Sequence, residues 1–323
     1  MAQKQSRSVS VFAWFMLMAV VGITAIALLS SRYGWPIYLE LLSHFQLQYW
    51  VLSLVGLSAI ALTRRRVPIW IGIACVAALT TQLVPWYWPL HFLGARDQGN
   101  FRILIANVNT QNRNFDAVIN LAQQENPDLA LFMEVNDRWV NHLDTLLAQM
   151  PHFAGETSDG NFGIVVYSRY PLEAVELIDF AQSSTPSITA NLSAKGQVLT
   201  LVGTHPLPPV RPDTFHSRNR QFDQLGQYLQ TLDGPIVLMG DFNASMWSPY
   251  YQRLKRQTRL RNVRRGFGLL PTWPVGDHLG WMTQLLAIPI DHGLLSPELT
   301  VVDARVGPDV GSDHRPVLID LRL

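Results

Sequence analysis

The sequence predicts two parts: an N-terminal membrane region, then an α/β domain built as a helix-flanked sandwich of two sheets. Three observations lead there. Charged residues are only 15% of the 323 positions, against roughly 25% in a soluble protein, and the deficit lies in the first part of the chain. Downstream, apolar runs of strand length are interleaved with amphipathic helical stretches. In the middle of that region several strands follow one another without a helix, which breaks strict doubly wound alternation and reads as antiparallel.

The charge split is sharp. Residues 1–90 hold six Lys/Arg and one acid, a net of +5, whereas residues 91–323 hold the other nineteen bases and twenty-three acids, a net of −4. Apolar residues are abundant enough to exclude a disordered chain. Cys75 is the single cysteine, which excludes a disulfide scaffold.

Val9 to Ser30 carries no charge and is long enough to cross ~30 Å of hydrocarbon as a helix. Further apolar stretches run from Leu47 to Leu62, with Tyr49 and Trp50 at one end, and from Val67 to Leu90, ending in Trp86, Tyr87 and Trp88. Aromatic rings suit the headgroup zone. The reading is three spans, at about 9–30, 46–63 and 67–90, within a transmembrane region 1–92. The second is the weakest, since Glu40, His44, Gln46 and Gln48 intrude just before it. A cleaved signal peptide is the alternative for the first stretch, but its apolar core is too long and two more stretches follow. Lys4 and Arg7 precede the first span, and Arg64, Arg65 and Arg66 separate the second and third. The positive-inside rule puts both basic segments in the cytoplasm. Three spans then leave residues 93–323 on the other face, periplasmic or extracellular for a bacterial inner membrane. A cysteine-free domain suits that oxidising side.

Within 93–323, strands are expected at Phe101–Asn107, Pro127–Glu134, Gly163–Ser168, Leu172–Ile178, Ile188–Leu192 and Val198–Thr204. Later strands are expected at Pro235–Gly240, Ile288–Leu295 and Pro316–Leu321. Helical spacing covers Phe115–Gln124, with Asn114 as cap, and a stretch through Gln149, with Asn136 as cap. A polar helix is expected from Phe215 to Leu232.

Polar residues gather at the ends of these strands, where rigid scaffolds hold catalytic groups. Asn107 ends the first strand and Glu134 the second. His205 follows Leu199–Thr204, Asp241 and Asn243 follow the run PIVLMG, Asp291 and His292 sit in IPIDHGLL, and Asp313 and His314 precede the last strand. One such residue would more often be a strand-end cap; six clusters together point to a site.

The motifs Ile105-Ala-Asn107-Val108, PDLALFME ending at Glu134, NFGIVVYSRYPL ending at Leu172, Gly240-Asp241-Phe242-Asn243, Ile290-Asp291-His292 and Gly311-Ser312-Asp313-His314-Arg315-Pro316-Val317 occur in this order. Over Phe101–Leu323 the chain resembles the endonuclease/exonuclease/phosphatase superfamily, the deoxyribonuclease-like metal-dependent phosphoesterases, in a membrane-anchored bacterial form. Met133 departs from the Gln common there. The resemblance implies a four-layer α-β-β-α sandwich of two mixed sheets. It also implies roles. Glu134 is the main metal ligand, with Asn107 beside it and Asp313 on the metal and water side. Asp241 positions the attacking water, Asn243 holds a phosphate oxygen, His314 sits over the scissile phosphate oriented by Asp291, and His205 serves near the leaving group.

Elementary chemistry agrees with those roles. A phosphodiester is anionic, and a hard cation lets carboxylates and phosphate share one site. Mg²⁺, with Mn²⁺ as the alternative, suits one or two carboxylates and retained waters. No Cys/His array has zinc spacing. His292 alternates to the opposite strand face from Asp291 and is expected to support the strand. His142, His152, His216 and His278 read as surface residues. Asn243-Ala-Ser matches a glycosylation sequon, but its place in the site argues against use. Arg253 to Arg265 packs seven bases into thirteen residues, either a solvated helix face and loop or a contact for anionic lipid or phosphate. The loop Pro206–Pro212 with Trp273, Trp281 and Met282 is either an apolar rim suited to a lipid-like substrate or buried structure.

The expected activity is a membrane-tethered, extracytoplasmic, Mg²⁺-dependent phosphoesterase acting on phosphodiesters: nucleic acid, phospholipid or sugar phosphate. The expected partners are that phosphate-ester substrate and the lipid bilayer. Nucleic acid stays open, though the net −4 region argues against tight sequence-independent binding. The alternative is a non-catalytic membrane-anchored binding or scaffold protein that keeps the fold.

Overall fold

The computed structural model describes residues 2–34, 37–89, 99–276 and 280–323. The chain divides into two units, Met1–Trp86 with Trp247–Pro249, and Tyr87–Met246 with Tyr250–Leu323.

The first apolar region forms helices α1 (Ala2–Arg32), α2 (Ile37–Leu42), α3 (Gln46–Leu62) and α4 (Arg66–Tyr87). Among the described residues, three stretches are long and apolar enough to cross a membrane: Ser8–Arg32, Ile37–Leu62 and Arg66–Tyr87. The second stretch takes in α2 and a short 3-10 turn, Ser43–Phe45, ahead of α3, which begins at Gln46. Glu40 is buried, with its carboxylate 3.8 Å from His44 one helical turn on. Leu17, Val20 and Ile60 form the small interior of this unit. A Cβ on Gly56 would stand 2.5 Å from the Val20 side chain, so glycine lets α1 and α3 approach closely. Phe15, Met18, Val55 and Trp70 are exposed, an outward apolar surface that suits hydrocarbon better than water.

The second unit opens with β1 (Phe101–Asn107), α5 (Phe115–Glu125), β2 (Leu129–Met133), α6 (Asp137–Leu143), β3 (His152–Glu156) and β4 (Ile164–Ser168). It continues with β5 (Leu172–Ile178), β6 (Ser187–Ala194), β7 (Gln197–Gly203), α7 (Pro212–Leu229) and β8 (Ile236–Asp241). After α8 (Pro249–Thr258) come β9 (Arg261–Asn262), α9 (Trp281–Leu286), β10 (Asp291–Leu295), β11 (Thr300–Val306) and β12 (Val317–Arg322). These strands make two six-stranded mixed sheets, ordered β11-β12-β1-β2-β4-β3 and β5-β6-β7-β8-β10-β9.

Period-two alternation places the layers. Ile103, Ile105, Leu131, Met133 and Ile164 face Ile188, Leu201, Val237 and Met239 of the other sheet in one interior. The alternate residues Leu104, Ala106, Ala130, Phe132 and Val165 pack outward on Val118, Ala122, Trp139 and Leu143 of α5 and α6. On the other sheet's side, Phe222 of α7 meets Phe242, just after β8, at 5.8 Å between ring centres. The expected sandwich of two mixed sheets with helices around them is observed.

Several local expectations need correction. The run from Gly163 to Thr204 is antiparallel as expected at β4, β5 and β6, but it is shared between sheets: β4 pairs with β2 and β3, and the chain then changes sheet to begin β5. The helix after Asn136 leaves α geometry at Leu143 and continues as a 3-10 turn, Asp144–Ala148. Asn136 does cap it, accepting the Trp139 N–H at 3.1 Å. Asn114 occupies the cap position of α5 without a side-chain bond; its own N–H instead donates to Asn112 Oδ1 at 2.9 Å. The polar helix starts at Pro212, not Phe215, because proline suits the first helical position. Three edge strands, β3, β9 and β11, were not anticipated. β3 is short and contains Gly155 at φ 143°, β9 has only two residues, and β11 is interrupted by a bulge between Val301 and Asp303.

Candidate active site

Strand register brings the polar strand ends to one edge. In the parallel pair β1–β2, Asn107 stands opposite Met133, so Glu134 emerges beside it. In the parallel pair β7–β8, Gly203 stands opposite Met239, which carries His205 and Asp241 to a common end. In the antiparallel pair β8–β10, Asp241 and Asp291 are direct partners. Val317 pairs with Ile105 near the end of β1, which sets His314 just beyond the same edge. Gly240 has φ 146°, and a Cβ there would lie 1.9 Å from the Thr204 carbonyl oxygen. The Gly-Asp-Phe-Asn motif thus requires its glycine, because β7 and β8 approach closely at the site.

The side chains converge. Asn107 Nδ2 donates to Glu134 Oε1 at 2.8 Å and to Asp241 Oδ2 at 3.3 Å. His314 Nδ1 and Asp291 Oδ2 are hydrogen-bonded at 2.9 Å, while His314 Nε2 lies 3.7 Å from Asp241 Oδ2. His205 Nε2 lies 3.5 Å from Asp241 Oδ2 and 4.0 Å from Glu134 Oε1. Asp241 is therefore flanked by both imidazoles. Asn243 Nδ2 donates to the Pro206 carbonyl at 3.0 Å, leaving a second amide N–H, and its backbone N–H donates to Asp241 Oδ1 at 2.8 Å. Asp313 sits to one side: Asn109 Nδ2 donates to its Oδ1 at 2.8 Å and Trp273 Nε1 to its Oδ2 at 3.2 Å.

Glu134 and Asn243 both have positive φ, 58° and 48°. Such backbone costs about 1–3 kcal/mol per residue and persists where neighbours over-determine it. Here Thr110 Oγ1 donates to the Glu134 carbonyl at 3.0 Å, and Arg218 Nη1 donates to the Asn243 carbonyl at 2.9 Å.

Burial and mutual charge set the protonation states. Burial lifts the Glu134 carboxyl above its usual range, against the neighbouring His205 charge and the Asn107 hydrogen bond. For Asp241 burial acts in the same direction, but the His314 charge and the His205 bond and charge prevail and hold it below the usual range. Burial opposes protonation of His314, yet Asp291 and Asp241 outweigh it and push the imidazole up to about 10. His205 is raised in the same way, burial being overcome by Asp241 and Glu134. Without a bound cation, imidazolium supplies the counter-charge to these carboxylates.

The donor set fits a hard cation. Glu134 Oε2 has no hydrogen-bond partner among the described residues, and the buried Asp291 Oδ1 and His205 Nδ1 also lack one. Asp241, Asp291 and His314 place one donor atom each within 4.8 Å of one another. Because His314 Nδ1 already serves Asp291, that trio reads first as an oriented imidazole beside a carboxylate. The oxygen-rich side formed by Glu134 and Asp241 is the better place for an ion. Asn107 Oδ1 accepts the Asn109 N–H at 3.1 Å, so Asn107 here steadies the two carboxylates through its N–H group.

The other sequence-selected residues separate cleanly. His292 turns away from the site and bonds to the Ala244 carbonyl at 2.8 Å, beside buried Arg264. His142 and His216 are exposed and His152 is half-buried, while His278 lies outside the described residues. The basic run Arg253–Arg265 is not one face: Arg264 is fully buried and Arg253 pairs with Asp223. Met133 contributes where glutamine was expected, its sulfur accepting the Asp241 N–H at 3.1 Å. Sequence reasoning missed Asn109, Thr272 and Arg218. Thr272 Oγ1 accepts the Asp291 N–H at 3.3 Å, a contact visible only once β10 is in place.

Residues 104–314 match the model of the Endonuclease/Exonuclease/phosphatase family. A UPF0294 protein of Vibrio parahaemolyticus is 26% identical over 259 residues, covering 72% of this chain and 83% of the relative. A UPF0294 protein of Yersinia pseudotuberculosis is 30% identical over 104 residues, 32% of this chain and 36% of the relative. Among solved structures, D. rerio TDP2 complexed with single-strand DNA product has a TM-score of 0.58 at 16% identity, covering 69% of this chain and 99% of that one. The 3′ phosphatase NExo from Neisseria, bound to a product DNA hairpin, has a TM-score of 0.57 at 22% identity, with 69% and 100% covered. Likeness at these identities is likeness of fold. The family match, on that shared fold and spanning more than half of the sequence, makes this chain a member of the endonuclease/exonuclease/phosphatase family.

Proposed function

We propose that the chain is a membrane-tethered, divalent-metal-dependent phosphoesterase that hydrolyses phosphodiesters. The observation that carries the reading is the convergence of Glu134, Asp241, the Asp291–His314 pair and His205 around one locus. Three apolar helices long enough to span a membrane support the tether. The charge pattern of the sequence favours an extracytoplasmic catalytic domain.

Glu134 would hold the cation, with Asp241 beside it and Asn107 steadying both; Asp313 flanks this side through Asn109. Mg²⁺ or Mn²⁺ fits these oxygen donors, and when bound supplies Lewis-acid stabilisation of the phosphoryl oxygens. The chain's own residues do the rest. Asp241, held ionised, accepts a proton from water as the water oxygen bonds to phosphorus. His314, its tautomer fixed by Asp291, donates Nε2–H to a phosphoryl oxygen, and Asn243 offers its second amide N–H. The P–O bond to the leaving group breaks as His205 Nε2 gives a proton to the leaving oxygen. Asp241 then returns its proton to His205 across 3.5 Å. The net change is diester plus water to monoester plus alcohol.

The test is hydrolysis of bis(p-nitrophenyl) phosphate by the full chain in detergent, with Mg²⁺, with Mn²⁺ and with EDTA. Turnover is expected only with the metal, and to fall by at least about 10²-fold in Glu134→Gln and His314→Ala. Equal activity in both variants, or full activity in EDTA, removes the assignment.

A further inference from the structure

Arg315, immediately after His314, lines a separate cavity of about 310 Å³ together with Pro274, Val275, Trp281, Gln284 and Asp309. The cavity belongs to the site's own framework, since Val275 N–H donates to the Asp313 carbonyl and Arg315 N–H to the Thr272 carbonyl, both at 2.9 Å. No described residue hydrogen-bonds or ion-pairs the Arg315 guanidinium. Along the cavity's α9 side, Trp281 (75%), Met282 (45%) and Leu285 (59%) are exposed. Trp273, whose Nε1–H donates to Asp313, lies beside His314, the two ring centres 6.5 Å apart. Past His205, the loop anchored to Asn243 through the Pro206 carbonyl exposes Val210 (74%). Apolar side chains are thus exposed beside the charged centre at Trp273, on α9 along the adjoining cavity and on the loop after His205, and soluble proteins seldom leave such groups in water without a use.

We propose that these side chains and the Arg315 cavity recognise an amphiphilic phosphodiester, a lipid whose acyl-bearing part lies along Trp281, Met282 and Leu285 while its polar headgroup meets Arg315. The inference rests on the phosphoesterase reading and names its substrate class. Two observations favour lipid over nucleic acid. Residues 91–323 carry a net charge of −4, which opposes a polyanion whose affinity comes from phosphate neutralisation. Met282, Leu285 and Val210 are aliphatic and offer no stacking plane, and only Trp281 and Trp273 do. The chain also carries its own membrane-length helices, so a bilayer lipid shares its compartment. The reaction is the same hydrolysis: one P–O bond forms from water, one ester P–O bond breaks, and the products are an alcohol and a phosphomonoester, one of them keeping the acyl chains.

The full chain in non-ionic detergent micelles is offered phosphatidylglycerol, phosphatidylethanolamine or cardiolipin, single-stranded DNA, or bis(p-nitrophenyl) phosphate. At least one lipid is expected to be hydrolysed with higher kcat/KM than the DNA. The double variant Trp281→Ala with Leu285→Ala should lower kcat/KM for that lipid roughly tenfold more than for the soluble diester, through KM. Restoring Trp281→Phe in the Leu285→Ala background should recover part of that loss, with an unchanged melting temperature throughout. Turnover of the soluble diester without any lipid turnover overturns this inference and leaves the phosphoesterase reading standing, as does DNA as the preferred substrate or an equal loss on lipid and soluble diester. No turnover of any phosphodiester overturns both.

Discussion

His314 and Asp291 are both buried, and their hydrogen bond joins two elements far apart in sequence. The histidine's pKa, raised from 6.5 to about 10, is a stability statement as well as a catalytic one. A folded-state value above the unfolded one means the stabilisation is complete below pH 6.5 and is lost as the pH climbs through 10. In EDTA the melting temperature should therefore decline across that window. Adding Mg²⁺ should flatten the decline, because the ion replaces imidazolium as counter-charge. Asp291→Asn removes the first partner and should flatten it too, while lowering kcat on a soluble diester by about 10²–10⁴-fold. Scanning calorimetry against pH reads the first effect; a decline as steep in Asp291→Asn as in the parent would show that the pair is not its source. The residues that converge here were legible in the sequence because they stand at strand ends inside short motifs. Asn109 was not, since its role depends on Asp313, which is remote in sequence.

At the scale of elements, α7 does more than cover a sheet. Arg218 is fully buried on it, stacked over the rings of Phe215, Phe222 and Tyr250 at 5.4–5.8 Å. Its Nη1 holds the carbonyl of Asn243, whose backbone has positive φ. A buried cation is a weak source of stability, and a well-packed apolar replacement is often neutral or stabilising. Arg218→Met should accordingly keep or raise the melting temperature while lowering kcat by about tenfold, because the Asn243 turn loses its clamp. Unchanged kcat, or a parallel loss of activity and stability, would contradict this positioning role. The polar periodicity of α7 announces a surface helix, and nothing local marks Arg218 as interior. The same limit explains the missed strands: β3, β9 and β11 lie at sheet edges, where short length or half-exposed residues blur the alternation that made β1, β2 and β8 easy to read.

For the whole molecule, the sidedness of the candidate spans would decide what the proposed catalytic residues can meet. An odd number of spans puts the two ends of a chain on opposite faces, and the basic residues choose which. Lys4 and Arg7 precede Ser8–Arg32, and Arg64, Arg65 and Arg66 fall between Ile37–Leu62 and the body of the last candidate span. The four residues between the first two candidate spans carry no charge; Arg32 ends the first span, and Glu40, inside the second, is buried against His44 rather than offered to a headgroup zone. The bias therefore points one way. A C-terminal fusion to an alkaline phosphatase that folds only after export should be active in a bacterial host, and the matching fusion to a fluorescent protein that matures only in the cytoplasm should be dark. Replacing Arg64, Arg65 and Arg66 together by alanine should split the population between both orientations, since the strongest retention signal is gone. A fluorescent C-terminal fusion in the parent chain would place the site in the cytoplasm, bring cytoplasmic nucleic acid within reach of Glu134 and His314, and require the substrate argument to start again from the other side of the bilayer.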